Sequence, residues 1–343
     1  MSTDPPRPRR PRHPRHPRRP SRAVVAALAL GALAAAPAAP AAPKAQDTAP
    51  ATRDVTFWVN PDTPASRQVA LWWRQWRLTD AWTVARIAVR PQAEWLNKDR
   101  PGPVVRSLVR RAAAAGRTAV LVAYFIPHRD CGDYSAGGAD DADHYRDWID
   151  GFAEGLAAHD AYVVVEPDAI AQMVAGCPGA DAAERYALLD YAVTRLKRQP
   201  GAKVYLDAGN ATWIPQERRL AAPLRRSGID KADGFALNVS NFHTNAVSSE
   251  YGHRVARVLG GDRHFVVDTS RNGNGPYAGD KPWCNPPGRA LGTPPTTRTG
   301  DPAIDAYLWI KRPGESDGEC RGGPAAGDWW PRYALDLARN AKH

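Results

Sequence analysis

The chain has 343 residues and a formal net charge of +10, with charged residues making up 24% of it. Most of the net charge lies in the first 22 residues, where eight arginines face one acid, Asp4, so that residues 23–343 carry only +3. Nucleic-acid binding requires basic residues clustered on a folded domain. Here the cluster lies in a proline-rich leader, which argues against a nucleic-acid-binding protein.

The leader continues as an uncharged run over residues 23–36, followed by alanines and prolines up to Pro43. A basic segment, a short apolar segment and a small-residue cleavage zone are typical of a secretory signal peptide. The apolar run of 14 residues is shorter than the roughly 20 that a membrane span needs. We predict a signal peptide and leader over residues 1–45, one domain over residues 54–343, and a secreted protein without membrane contact after cleavage. A low-complexity tail on a cytosolic protein is the alternative.

Downstream of the leader, strand-like apolar runs of four or five residues recur, and each leads to a polar residue. In chain order the runs are residues 120–124, 161–165, 203–206, 234–237, 264–267 and 306–310, and they lead to Asp130, Asp168, Asp207, Asn238, Asp268 and Lys311. Amphipathic segments at residues 142–158, 181–196 and 246–259 lie between them. This alternation predicts successive βα units around a parallel sheet.

The strand-like runs are almost continuously apolar, which indicates strands buried on both faces, as in a parallel β/α barrel surrounded by helices. An open, doubly wound sheet is the alternative, because the sequence does not show whether the sheet closes. In both folds function lies at the carboxyl ends of the strands. The polar residues that follow the runs are therefore expected to form a site.

Four cysteines, Cys131, Cys177, Cys284 and Cys320, lie in the body of the chain. In an exported protein they permit two disulfides in three possible pairings, of which nearest-neighbour pairing is the simplest. No two of them have the Cys-x-x-Cys spacing of zinc or redox sites. We expect structural disulfides, no metal and no cofactor.

Asp168 is the strongest candidate for a catalytic proton donor, because a wholly apolar strand leads to its carboxyl group. Hydrolysis of a glycosidic bond needs an acid that is still protonated near neutral pH, since the leaving oxygen is weakly basic. A second acid such as Asp130 can keep Asp168 protonated by charge repulsion, and burial adds to this effect. The alternatives are a helix N-cap for Asp168 and a local ion pair between Asp130 and Arg129.

Two further features are typical of a carbohydrate site. The chain contains 12 tryptophans, whose flat rings can stack on the apolar faces of sugars. Trp148 and Trp309 fit helix and strand patterns and are predicted to be core, whereas Trp95, Trp213 and Trp283 lie in predicted loops and are candidate platforms. The loop at residues 311–320 holds a carboxylate cluster, Glu315 and Asp317, suited to take a proton from the attacking water, and Lys311, suited to contact sugar hydroxyls. A solvated turn held by Cys320 is the alternative reading of this loop.

A series of short motifs, taken together, resembles glycoside hydrolase family 6. They are Phe57-Trp-Val-Asn-Pro61, Pro127-His-Arg-Asp-Cys131, Tyr134-Ser-Ala-Gly-Gly138, Val165-Glu-Pro-Asp168, Asp207-Ala-Gly-Asn210, Asn238-Val-Ser-Asn241, Asp268-Thr-Ser-Arg-Asn-Gly-Asn-Gly-Pro276, Trp283-Cys-Asn-Pro286 and Leu308-Trp-Ile-Lys-Arg-Pro-Gly-Glu-Ser-Asp-Gly318. Their shared order covers nearly the whole chain after the leader. Asn210 and Phe125 depart from the family pattern, which has a histidine and an Asn or Asp at these positions.

The resemblance implies a distorted, incomplete α/β barrel that cleaves β-1,4 linkages of cellulose with inversion of the anomeric centre. It implies that Asp168 is the proton donor, that Asp130 raises the donor's pKa and organises water, and that Asp317 is the base, with relay through water as the alternative. The remaining implied substrate contacts are Tyr124 beneath the distorted sugar, the platforms Trp95, Trp213 and Trp283, and Ser135, Asp207, Asn241, Lys311 and Glu315.

The segment between Trp283 and Lys311 is short and lacks the long insertion that roofs the tunnel of cellobiohydrolases. We therefore expect an open cleft and endo cleavage by a monomer whose partner is a β-1,4-glucan. The missing Ser/Thr/Pro linker and carbohydrate-binding module predict a weak hold on crystalline cellulose. A cellobiohydrolase, a mixed-linkage β-glucanase and a non-catalytic glycan-binding protein are the alternatives.

Overall fold

The computed structural model describes residues 55–342, which contain a parallel sheet of seven strands in the consecutive order β1-β2-β3-β4-β5-β6-β7. The strands are β1 (Glu94–Leu96), β2 (Ala119–Ala123), β3 (Ala161–Val165), β4 (Ala202–Asp207), β5 (Gly234–Leu237), β6 (His264–Asp268) and β7 (Ile304–Leu308). The helices are α1 (Pro64–Arg74), α2 (Leu78–Ala88), α3 (Pro101–Ala114), α4 (Ala142–Leu156), α5 (Ala169–Ala175), α6 (Ala182–Leu196), α7 (Arg218–Arg226), α8 (Asn245–Val258) and α9 (Pro331–Asn340).

Alternate residues of each strand point to opposite faces of the sheet, and both faces are buried. On the inner face Val122, Val164 and Val266 belong to one apolar cluster. On the outer face Leu121 and Val163 pack in the large cluster that includes the helices α3, α4 and α6. The seven parallel strands form a half-barrel with helices around it, which confirms the predicted distorted, incomplete β/α barrel.

The two edge strands of this half-barrel lie close together but do not pair as strands in the described part of the chain. Just beyond them, the Ala93 N–H donates to the Trp309 carbonyl at 2.9 Å. The Trp95 indole N–H donates to the Ile310 carbonyl at 2.8 Å. A separate apolar cluster formed by α1, α2 and α9, which includes the buried Trp72 and Trp309, lies beside this gap.

Three sequence predictions need correction in detail. The helix predicted over residues 142–158 ends at Leu156, because Ala157 and Ala158 adopt left-handed backbone angles of 46° and 65° in φ. The strand predicted over residues 306–310 is Ile304–Leu308 instead. The chain leaves the sheet after Leu308, because the N–H groups of Ile310 and Lys311 donate to the Asp268 carboxylate, at 3.3 and 2.9 Å. Trp95, predicted to lie in a loop, belongs to β1, which was missed because it has only three residues.

The structure also bears on the predictions for two tryptophans and for the four cysteines. Trp148 and Trp309 are buried, with 3% and 2% of their surface exposed, which confirms them as core residues. The disulfides join Cys131 to Cys177 and Cys284 to Cys320, the pairs given by nearest-neighbour pairing. No helix within residues 55–342 is long and apolar enough to cross a membrane. The predicted signal peptide and leader lie outside the described residues.

Candidate active site

Asp168 lies where β3 passes into α5, on a backbone that only a few residue types adopt readily. Its φ is 72°, and two positions earlier Glu166 has a φ of 47°. Left-handed angles at non-glycine residues cost of order 1–3 kcal/mol and cluster at functional sites. Asp168 occupies the N-cap position of α5, yet its side chain makes no capping hydrogen bond. The helix-cap role that the sequence left open is therefore not what its carboxyl group does.

The surroundings of Asp168 favour a protonated carboxyl group. Burial raises its pKa well above the usual range, the negative charges of Asp207 and Asp130 raise it further, and the Lys311 ammonium acts in the opposite direction. The residue nevertheless remains partly exposed to solvent. An accessible acid that resists ionisation is what general acid catalysis near neutral pH requires.

Asp207, at the end of β4, is tied directly to the backbone of Asp168. Its Oδ2 accepts the N–H of Asp168 at 2.9 Å and that of Gly209 at 3.1 Å. Its Oδ1 is buried and has no hydrogen-bond partner among the described residues. Burial, with the nearby Asp268 charge, raises the pKa of Asp207 to about 7. Asp207 and Asp168 therefore titrate as a pair whose charges oppose each other.

Asp130 lies on the loop after β2, and its carboxylate accepts one hydrogen bond from its own loop and one from α5. Its Oδ2 accepts the Ser135 N–H at 2.7 Å and its Oδ1 accepts the Gln172 side-chain amide at 3.0 Å. The next residue, Cys131, forms the disulfide to Cys177 just beyond α5. Burial is the largest cause of the raised pKa of Asp130. Because α5 begins directly after Asp168, these contacts position the two acids relative to each other.

Tyr124 directly follows β2 and lies close enough to Asp168 and Asp130 for their charges to raise its pKa, after the larger effect of burial. Its ring meets the Trp95 ring edge to face at 5.1 Å between centroids, and the Arg129 guanidinium lies 4.8 Å from its centroid. The Arg129 side chain also donates to the carbonyls of Tyr124 and Ser135, at 2.9 and 2.8 Å. Arg129 thus braces the loop through backbone oxygens, and the Asp130 carboxylate instead accepts from Ser135 and Gln172.

The loop after β7 carries Asp317, whose Oδ2 accepts the Arg271 guanidinium at 2.9 Å and the Asn285 N–H at 3.0 Å. The Lys311 ammonium lies 3.8 Å from the other oxygen, Oδ1, and donates to the Ser316 carbonyl at 3.0 Å. Glu315 pairs with Arg312 at 3.0 Å, and its negative charge also acts on Lys311. The loop is therefore an ordered ion-pair network, unlike the solvated turn that was the alternative.

The loop carrying Asp130 meets the loop carrying Asp317. A Cβ atom built on Gly318 would come within 2.4 Å of the Tyr134 ring, so the two are in direct contact. The Tyr134 ring also lies 6.0 Å from that of Trp283, which is 37% exposed. The structure thus brings Asp168, Asp130, Asp207, Lys311 and Asp317 into neighbouring loops at one edge of the sheet.

The remaining sequence candidates lie on adjacent loops. The Trp213 N–H donates to Asn210 Oδ1 at 3.1 Å, and the buried His243 contacts the same oxygen at 3.2 Å. Asn241 accepts the Phe242 N–H at 3.0 Å through its own side chain. His243 was missed by sequence reasoning, although it braces the loop of the Trp213 platform beside the atypical Asn210.

Two buried charged residues were also missed. Glu166 is 1% exposed, accepts the N–H groups of Phe125 and Ile126 at 3.0 and 3.1 Å, and has a pKa raised to about 7 by burial. Arg271 is fully buried between Asp317 and the Phe242 ring, whose centroid lies 4.4 Å from the guanidinium carbon. Both lie within short motifs of the sequence, but no local pattern showed that their side chains would be buried. Within residues 55–342, no three His, Cys, Asp or Glu side chains converge closely enough to hold a metal ion.

The pairing of Asp207 with Asp168 predicts a shift in pH dependence. The sequence predicts that Asp168 is a proton donor, and a donor acts only while protonated, so activity is then expected to decline as the pH rises through its pKa. Asp207→Asn removes a negative charge that raises the pKa of Asp168, and we expect the alkaline limb of the kcat/KM profile to move to lower pH. The measurement is a pH profile of hydrolysis beside that of Asp262→Asn, an exposed acid before β6. An unmoved limb in Asp207→Asn would contradict the coupling.

Comparison with known proteins gives a consistent result. The sequence profile of the family described as Glycosyl hydrolases family 6 matches residues 52–341. Endoglucanase A of Cellulomonas fimi is 43% identical over 290 residues, 83% of this chain and 61% of that protein. Endoglucanase A of Thermobispora bispora is 42% identical over 297 residues, 84% of this chain and 63% of that protein. The chain thus spans about three fifths of the length of these relatives.

Among solved structures, the endoglucanase Cel6 from Mycobacterium tuberculosis superposes with a TM-score of 0.78 at 44% identity. The match covers 84% of this chain and 98% of that one. That structure contains methyl-cellobiosyl-4-deoxy-4-thio-β-D-cellobioside.

Proposed function

Because the chain belongs to glycosyl hydrolases family 6, we propose that it hydrolyses internal β-1,4-glucosidic bonds of cellulose with inversion at the anomeric carbon. The observation that carries the proposal is the state of Asp168. Burial and two neighbouring acids raise its pKa, and the residue is still partly exposed. An accessible, protonated acid supplies what the weakly basic leaving oxygen lacks.

In the proposed reaction, the Asp168 proton passes to the glycosidic oxygen as the bond from that oxygen to the anomeric carbon breaks. A water molecule attacks the anomeric carbon from the opposite face of the sugar. Its proton goes to Asp317, or to Asp317 through a second water, and the product sugar has the inverted configuration. Asp168 then regains a proton from solvent, and Asp317 releases to solvent the proton that it took from water. Inversion of this kind requires two carboxyl groups about 6.5–9.5 Å apart, which leaves room for the water.

The contacts of Asp317 support its role as base and indicate which atom acts. Arg271 and the Asn285 N–H occupy Oδ2, whereas Oδ1 lies 3.8 Å from the Lys311 ammonium, beyond hydrogen-bond distance. Oδ1 is therefore the oxygen that receives the proton. Arg271 and the Asn285 N–H hold the carboxylate in one orientation.

The other proposed substrate contacts are grouped by their chemistry. Aromatic rings form sugar platforms, Tyr124 lies beneath the distorted sugar, and polar side chains bind hydroxyl groups. The platforms are Trp95, Trp213 and Trp283, and the polar contacts are Ser135, Asp207, Asn241, Lys311 and Glu315.

We further propose that residues 54–343 form one catalytic domain, that the protein acts outside the cell, and that it works as a monomer. The two disulfides support an exported location, because disulfides persist in oxidising compartments. The basic, apolar and small-residue order of the leader supports the same location.

The deciding experiment follows viscosity and reducing ends together during hydrolysis of carboxymethyl cellulose. Internal cleavage lowers the viscosity steeply for each reducing end released, whereas cleavage from chain ends releases sugar with little change in viscosity. We expect the first pattern. Release of cellobiose at nearly constant viscosity would identify a cellobiohydrolase, and binding without any reducing ends would identify a non-catalytic glycan-binding protein. A parallel assay on mixed-linkage β-glucan separates the remaining alternative.

A further inference from the structure

Three tryptophans on α1, on α2 and on the turn between them are exposed to solvent and have no part in the site described above. Trp73 is 53% exposed, Trp76 is 84% exposed and Trp82 is 68% exposed. The rings of Trp73 and Trp82 lie 6.2 Å apart between centroids at an angle of 73°. Single exposed apolar residues are ordinary, whereas clustered large ones mark binding surfaces. We call Trp73, Trp76 and Trp82 the tryptophan patch.

The backbone of Trp76 indicates that stability does not explain its presence. The Trp76 N–H donates to the Trp73 carbonyl at 3.2 Å and the Arg77 N–H to the Trp72 carbonyl at 2.9 Å, which together form a Schellman motif after α1. Trp76 occupies the left-handed position of this motif, with a φ of 58°. Glycine is the usual residue there because any side chain adds strain. The strain is not offset by burial, since the indole is the most exposed of the three.

Two arginines beside the tryptophan patch, Arg77 and Arg86, are engaged within the protein, whereas Arg74 on α1 is exposed. Arg77 forms an ion pair with Asp80 at 2.6 Å, and its guanidinium lies over the Trp72 ring at 4.5 Å. Arg86 donates to the Ala338 carbonyl at 2.8 Å. Flat indoles beside arginines with fixed positions suit the apolar face of a pyranose ring, whose hydroxyl groups lie at its edge.

The tryptophan patch adjoins the edge of the sheet where the candidate site lies. Trp82 lines a cavity of about 740 Å³ whose other walls include Thr244, Asn272 and Thr293. Thr244 follows β5 and Asn272 follows β6, at the carboxyl ends of these strands. A surface ligand on the patch is therefore adjacent to the loops that surround the acids.

A second copy of the chain fits the patch less well. A buried tryptophan contributes at most about 250 Å², so three rings at these exposures present on the order of 500 Å² of surface. Each partner of a stable interface buries about 800 Å². The rings alone are too small for a dimer and are adequate for a few sugar units.

We propose that Trp73, Trp76 and Trp82 form a second carbohydrate-binding surface that holds insoluble β-1,4-glucan by stacking on its pyranose faces. The inference rests on the proposed function for its choice of ligand. The sequence predicted a weak hold on crystalline cellulose. With this second surface, the domain itself would bind crystalline cellulose.

The test compares Trp76→Gly with wild type, because glycine suits the left-handed position and removes only the ring. We expect an unchanged or higher Tm, unchanged hydrolysis of carboxymethyl cellulose, and an about five- to tenfold weaker partition onto microcrystalline cellulose on ice. Trp82→Ala should show the same loss of binding. Val104→Ala removes an exposed apolar residue on α3 outside the patch and should bind as wild type.

Several outcomes would overturn this inference. They are undiminished binding in both tryptophan variants, loss of wild-type binding in about 1 M NaCl, where charge interactions are screened, and a dimer that Trp76→Gly converts to monomer in sedimentation. Failure of the proposed function is a separate result: wild type would then leave carboxymethyl cellulose intact. The partition measurement needs no turnover and would still decide whether the patch binds glucan.

Discussion

Replacing Asp168 with asparagine is expected to lower kcat/KM on cellulose by about 10²–10⁴-fold, the usual contribution of a general acid. Asparagine has nearly the same shape and keeps the backbone N–H that binds Asp207 at 2.9 Å. It has no proton to donate at the required acidity. Because it also removes the cost of a buried ionisable group, the fold should be as stable as wild type, and the loss should lie in kcat.

The leaving group distinguishes a proton donor from a residue that merely shapes the site. The p-nitrophenyl group leaves as a stable phenolate anion that needs little protonation. Asp168→Asn should therefore lose much less activity in the release of p-nitrophenol from a p-nitrophenyl cello-oligosaccharide than on cellulose. Asp160→Asn changes an exposed acid just before β3, the strand that leads to Asp168. This control should behave as wild type on both substrates. An equal loss on both substrates would assign Asp168 to substrate positioning.

The sheet was predictable because its strands are buried on both faces, and such strands leave long apolar runs in the sequence. Residues 234–237 were placed correctly to both ends. The last strand was displaced by two residues because Trp309 and Ile310 continue the apolar run after the sheet has ended. Their positions depend on Asp268, whose carboxylate accepts the N–H of Ile310 at 3.3 Å and that of Lys311 at 2.9 Å. A bond between residues more than forty positions apart leaves no local signal.

The acids of the candidate site were predictable as residues that follow strands, but their relations were not. That Asp207 accepts the Asp168 N–H depends on the left-handed turn at Asp168, which the sequence does not reveal. The same limit applies to Trp76, whose exposure and strained backbone became visible only when α1 was seen to end beside it. Residue type and position along a strand were therefore predictable, and contacts between loops were not.

Removal of the Arg271 guanidinium is expected to lower the free energy of unfolding by about 3–5 kcal/mol, the usual cost of breaking a buried ion pair. Arg271 is fully buried, pairs with Asp317 at 2.9 Å and also donates to the Ser240 carbonyl. Arg271→Met keeps most of the side-chain volume but leaves the Asp317 carboxylate without its cation. The measurement is denaturant unfolding, with Arg146→Met as control, because Arg146 pairs with Asp143 on the exposed face of α4 and such pairs contribute little.

A double-mutant cycle separates this structural role from the proposed chemistry of Asp317. Asp317→Asn leaves Arg271 as an unpaired buried cation, so each single variant should be destabilised, and the double variant should lose clearly less than their sum. Activity should not follow that pattern. If Asp317 takes the proton from water, every variant that lacks its carboxylate should lose about 10²-fold or more in kcat, even where the second substitution restores stability. Recovery of kcat together with stability in the double variant would assign Asp317 to the architecture of the loop and the proton to water alone.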